Sequence, residues 1–242
     1  MEVHHPHHPT HKKNWSDYII QFVMLFTAVT LGFFAENVRE HMSEKQKKRE
    51  LLQTVALDFE ADLKQFEFHK GFALDKIKHC DSLIAINNSD FTKIDQQIYY
   101  ALILKTIWWW HFNPNEKSRN EAEAKGYFTE KENSELNYNI SKFNFFKNDL
   151  KDMELIENDA DKTIMAELPN YTEHALLDKQ LRFPAIDIPQ KMGIKTIDQK
   201  TANKMNYEFS ILKLCSDVYM MDIDSMTVYA KKSIEIINKD YK

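Results

Sequence analysis

Polar and apolar positions divide the chain into segments with different periods. From Tyr18 to Ala35 it reads YIIQFVMLFTAVTLGFFA, eighteen residues without a charge, ten of them Ile, Phe, Val or Leu. At 1.5 Å per residue, an α-helix over this stretch is roughly 27 Å long, close to the hydrocarbon thickness of a bilayer. At about −0.3 to −0.6 kcal/mol each, those ten side chains supply roughly −3 to −6 kcal/mol for insertion. Gln21 lies one turn from the end, within reach of headgroups, and Trp15 and Tyr18 are the amphipathic aromatics expected at a membrane interface. A buried core helix of this length normally keeps a polar edge. Thr30-Leu31-Gly32 is also a poor small-x-small cleavage site, so a span is expected rather than a cleaved signal.

The pattern then changes. Ser43 to Glu50 (SEKQKKRE) is entirely polar, after which Leu52, Val55/Ala56, Phe59, Leu63 and Phe66 recur at steps of three and four. This spacing predicts one helix from about Trp15 to Lys70, stopped by Gly71. A second segment carries Leu74, Ile77, Cys80/Asp81 and Ile84 in register and ends at Asn87-Asn88. Ser89 or Asp90 is placed to cap a third, which runs to Trp108-Trp109-Trp110. HFNPNEKSRN (111–120) reads as loop, and Glu121 to Tyr127 as a short helix ended near Gly126. Asn133 or Ser134 then caps a long helix through Leu136, Ile140, Phe143, Phe146/Lys147, Leu150, Met153 and Ile156. Pro169, Pro184 and Pro189 interrupt the region 169–200. A last helix at roughly 203–240 carries Leu212, Cys215, Val218/Tyr219, Met226, Ala230, Ile234 and Ile237.

The expected fold is therefore mainly α: an N-terminal transmembrane helix continuing into an antiparallel helical bundle. Its parts are a tail (1–14), the span (15–36), a juxtamembrane helix (37–70) and a soluble helical domain (71–242). Only 4 Gly and 6 Pro in 242 residues leave too few turn residues for an all-β fold. A net charge of −5 gives no basic face for nucleic acid. The partners expected are the lipid bilayer and a second protein or another copy of this chain. Lys12 and Lys13 precede the span, whereas Arg39, Lys45, Lys47, Lys48 and Arg49 follow it, but close to the membrane the comparison is two lysines against Arg39, which has Glu36 and Glu40 beside it. Because long domains translocate largely regardless of charge, the reading leans towards the N-terminus inside and the domain outside the cytoplasm.

Candidate chemistry is sparse. His4, His5, His7, His8 and His11 form a histidine-rich tail able to hold Zn²⁺, Ni²⁺ or Cu²⁺ loosely, although Pro6 and Pro9 prevent a regular helix and a fixed ligand geometry. The three tryptophans and His111 offer a ligand platform or, more simply, core packing, because consecutive helical positions point in different directions. Asp75 and His79 share a helix face, and Glu67 lies near His69, each a fragment of a metal or acid–base site without a third partner. Cys80 and Cys215 are either two buried thiols or one bridge in an oxidising compartment. No phosphate loop, nucleophile elbow, HExxH or CxxC occurs, and no catalytic residue or cofactor is assigned.

WSDYIIQFVMLFTAVTLGFFAENVREH (15–41), LDFEADL (57–63), FNP (112–114), KGYF (125–128) and the NSEL and NISKF motifs within 133–143 together resemble a family of uncharacterised single-span membrane proteins of Bacteroidetes-type bacteria. Lys125 departs from the small residue usual before that glycine. The resemblance implies an inner-membrane location and a helical domain, and it carries no activity. The leading functional expectation is a membrane-anchored interaction or sensing module. A membrane-bound enzyme with a site assembled from scattered residues and an oligomerising tether are the alternatives.

Overall fold

The computed structural model describes residues 14–89, 96–107, 112–170 and 197–241. Among them are five α-helices and no strand: α1 (Trp15–Asn87), α2 (Gln96–Thr106), α3 (Lys117–Ala124), α4 (Ser134–Glu167) and α5 (Gln199–Asp240). Single 3₁₀ turns, Lys131–Asn133 and Leu168–Asn170, flank α4. The fold is the expected mainly α bundle with one long apolar N-terminal helix. The chain divides into two compact units, residues 1–50 and 51–242.

In the first unit, every described side chain from Asn14 to Lys47 is exposed, including the whole apolar run. Its best eighteen-residue window has a mean hydropathy of 2.0 and none of it is buried. This helix is long and apolar enough to cross a membrane.

The second unit is a bundle in which α5 runs antiparallel to both α1 and α4. Three ties set the α1–α5 alignment: Gln53 Nε2 donates to the Tyr241 carbonyl at 2.8 Å, Lys70 pairs with Asp224 at 2.7 Å, and Lys213 pairs with Asp81. One apolar cluster gathers Leu52, Val55, Phe59 and Phe66 of α1 with Phe143 of α4 and Ile223 and Met226 of α5. A second joins Cys80 and Leu83 to Tyr99 and Ile103 of α2 and to Ile164, Met205 and Phe209.

The structure corrects several boundaries. Gly71 does not end the first helix, which continues to Asn87. A lone glycine costs an exposed helix about 1 kcal/mol, less than packing of the flanking turns returns. Because the helix is unbroken, its buried stripe keeps one phase: Phe66, His69, Ala73, Lys76, Cys80, Leu83, Asn87. The expected stripe was one position off; Leu74 is exposed, and Ile77 and Ile84 are only partly buried. The same happens in α4, where Leu155 and Ile156 face out while Glu154 and Glu157 turn partly inward.

Residues 117–120, expected as loop, open α3, which ends at Ala124, two residues before Gly126 (φ +73°). Gly126 takes the left-handed conformation that other residues avoid. Asn133 precedes α4 without capping it. Its Nδ2 donates to the Tyr127 carbonyl at 2.6 Å and its Oδ1 accepts from the Tyr241 hydroxyl at 2.7 Å, tying the chain's last described residue to the start of α4. The last helix starts at Gln199, before the expected 203, because Asp198 Oδ1 accepts from the Thr201 amide at 2.9 Å.

Candidate functional site: a polar column within the bundle

Core positions of α1 recur at alternating steps of three and four from Leu52 to Asn87. Along one of the two resulting rows, Val55, Asp62, His69, Lys76 and Leu83 follow at intervals of seven, so three consecutive members are polar. Buried polar groups carry a desolvation cost unless they are partnered. Each of these three finds a partner on a different helix.

Asp62 has no exposed surface and pairs with the buried Arg119 of α3, Nη1 donating to Oδ2 at 2.8 Å. Its other oxygen accepts from the Asn115 amide at 3.1 Å. One turn earlier Asp58 accepts from Asn115 Nδ2 at 2.6 Å and from the Ser118 hydroxyl. The Arg119 guanidinium lies over the rings of Phe59 (4.6 Å) and Phe143 (4.9 Å), which adds cation–π attraction to the ion pair. Burial raises the Asp62 carboxyl above its ordinary range, opposed by Arg119 and the Asn115 amide. These contacts explain why 115–119 is ordered against α1 although it reads as loop.

One heptad on, His69 Nδ1 and the Tyr219 hydroxyl of α5 are hydrogen bonded at 3.0 Å. The imidazole meets Phe112 edge-on, ring centres 5.7 Å apart. Burial lowers the His69 pKa, favouring the neutral ring, and burial raises that of Tyr219, with Glu154 and Glu157 adding to the rise. At the next interval Lys76 pairs with Glu157 of α4 and lies over the Phe72 ring at 5.6 Å. Further along, Asn87 bridges Asn206 Oδ1 and the Tyr99 hydroxyl, each at 2.8 Å.

Between the second and third rungs lies a cavity of about 30 Å³ lined by His69, Lys76, Glu154, Glu157, Ser216 and Tyr219, with Phe72 and Ala73 as apolar wall. It has room for one or two water molecules, and drug-sized ligands occupy roughly ten times more. An imidazole, two carboxylates, an ammonium and two hydroxyls around so small a space can hold ordered water and exchange protons with it. On the α4–α5 side, the almost fully buried Asp222 is pushed up to about 6 by burial and then by the facing carboxylate of Asp149.

The five N-terminal histidines, the three tryptophans and His111 lie outside the described residues. Trp15 and Tyr18 are both exposed in the first turn of α1. Asp75 accepts from Lys78 at 2.9 Å, while the imidazole of His79 is partly buried, its pKa lowered first by burial and then by Lys105. Glu67 faces solvent as His69 turns inward, so neither expected pair assembles a site. No cluster of three metal-ligating side chains occurs among the described residues. Cys80 and Cys215 are both buried and free, their thiols pushed up by burial to about 12 and about 11.

Reading by apolar periodicity missed Asp62, Lys76 and Arg119. The available signal was the seven-residue spacing of Asp62, His69 and Lys76 in phase with Val55 and Leu83. The chain matches no protein-family model, no curated protein and no solved structure.

Proposed function

We propose that this is a single-pass protein of a bacterial inner membrane, with its N-terminus inside and its helical domain outside the cytoplasm, where that domain binds a protein partner or senses a condition near the bilayer. The observation that carries this reading is the apolar run of α1. Eighteen uncharged residues are exposed all round the helix, whereas soluble proteins rarely expose contiguous apolar patches beyond a few hundred Å². A bilayer is the solvent that suits such a surface.

The sensing part rests on two further features. One helix, Trp15–Asn87, contains both the apolar run and the polar rungs at Asp62, His69 and Lys76, and a packed helix shifts as a unit. Each rung engages a different partner helix, so an axial shift of α1 would unpair several buried polar groups together. The resemblance in residues 15–41 and 57–63 points to the same cellular location.

Two measurements test it. Alkaline carbonate extraction of membranes should leave the full-length chain in the pellet; release into the supernatant would sink the membrane reading. Membrane-impermeant maleimide should label a cysteine introduced at the exposed Leu57 in intact spheroplasts, and labelling only after lysis would reverse the orientation. Crosslinking in native membranes that captured nothing above background would count against the interaction role.

A further inference from the structure

The inner face of α5 is occupied by the bundle, but its outer face carries a second apolar seam. Tyr207, Leu214, Met221 and Val228 recur at intervals of seven with 64%, 58%, 68% and 48% of their surfaces exposed. Scattered exposed apolar residues are ordinary, but four on one stripe of one helix are not. Three residues before Met221 and Val228 stand Val218 and Ser225, both half-buried beside the stripe, whereas Ile211, three before Leu214, packs against the bundle's own second apolar cluster. A sustained repeat of 3.5 residues keeps one stripe facing one partner helix, which a solvated face does not require.

We propose that this seam is a homodimer interface, in which α5 of one chain lies parallel to α5 of a second copy. The residue types choose the occupant. A β-branched residue at the first core position with Leu at the second favours two parallel strands, and Val218–Met221 follows that rule, Met standing in for Leu. Two chains inserted in one bilayer through the same N-terminal run also present their domains on the same side of it, so like seams can meet. That part rests on the membrane reading above.

The size is sufficient. Tyr207 to Val228 spans about 32 Å of helix. Pairing two such seams buries on the order of 600 Å² per copy, near the lower edge of specific interfaces. Charge does not oppose it. Asp217 and Asp224 flank the stripe, but Lys213 lies beside the first and Lys70 pairs with the second at 2.7 Å. A polar Ser225 in one layer weakens the pairing locally while favouring one register.

The test uses the full-length chain in nanodiscs large enough for two copies. Leu214→Cys should crosslink to itself through a short bis-maleimide, whereas Leu57→Cys, equally exposed on α1, should not. The native thiols, buried and held protonated, react slowly under the same conditions. Leu214→Glu with Met221→Glu should weaken association at least 100-fold by sedimentation in detergent, with helical content unchanged. A wild-type chain that enters discs but stays monomeric overturns the seam alone, whether residues 171–196 or a different protein then shield Leu214→Cys from maleimide. Crosslinking between Tyr207→Cys and Val228→Cys in preference to like-with-like overturns the parallel arrangement. Failure to enter discs sinks the membrane reading and with it the meeting of like seams in one bilayer.

Discussion

Two stretches of the same helix, 18–35 and 51–87, meet opposite demands. The first is apolar on every side, with all its described side chains exposed; the second is apolar on one stripe and carries Asp62, His69 and Lys76 within that stripe. A helix facing hydrocarbon needs no pattern around its circumference, since every direction has the same solvent. A helix in a bundle needs a phase, and once the phase is set a few buried polar groups can be held by partners chosen on other helices. Uniform apolarity says little about orientation or neighbours, whereas a polar rung inside an apolar stripe specifies both. This specificity has a stability cost in other proteins, where apolar replacement of a whole buried ion pair is often neutral or stabilising.

The largest effect should come from breaking the Asp62–Arg119 rung on one side. Asp62→Leu leaves a buried guanidinium unpaired and should cost about 3–5 kcal/mol in urea unfolding of the detergent-solubilised chain. Replacing both partners, Asp62→Leu with Arg119→Met, should restore most of it; no recovery would mean the loss lies in the Asn115 and Phe59 contacts instead. Next, Leu83→Ala should cost about 2–5 kcal/mol and Leu74→Ala less than about 0.5 kcal/mol, because only Leu83 faces the core. Equal costs would refute the unbroken phase through Gly71. In the first stretch, Leu25→Arg should add about 2.5–3.5 kcal/mol to insertion and release a measurable fraction into the carbonate supernatant.

The smallest effects are those of pH, and the signs differ between groups. His69 has a folded pKa below its unfolded value of 6.5, so its contribution is complete above 6.5 and is lost as pH falls below it. Asp222 has a folded pKa of about 6 against 3.8 unfolded, so its contribution is complete below 3.8 and is lost as pH rises through about 6. Asp222→Asn should therefore raise stability at pH 7 by on the order of 1–3 kcal/mol and change it little at pH 4. The wild type and His69→Gln should diverge as pH falls below 6.5, the wild type falling faster. Parallel curves would place His69 in solvent rather than among Phe112, Tyr219 and the cavity.

Much of the bundle was legible in the sequence because long helices advertise themselves through Leu52, Val55, Phe59 and Phe66, or through Met226, Ala230 and Ile237. Errors fell where polar residues occupy core positions. A reader who follows apolar residues past His69 drifts onto Leu74 and Ile77, and past Leu150 onto Ile156, because Lys76, Glu154 and Glu157 look like surface. Asn133 looks like a helix cap and serves as a tie to Tyr127 and Tyr241 instead. The short helix at 117–124 was half hidden for the same reason, since Ser118 and Arg119 are polar residues turned inward.

By itself the sequence determined where helices form and that residues 18–35 suit oil better than water, since propensity, periodicity and transfer free energy are summed along the chain. Only the tertiary structure decided the phase of α1 beyond Phe66 and of α4 beyond Leu150, and which partner answers Asp62, His69 and Lys76. The desolvation cost of a buried charge depends on groups far away in sequence, 57 residues for Arg119 and 81 for Glu157. No local pattern contains that distance.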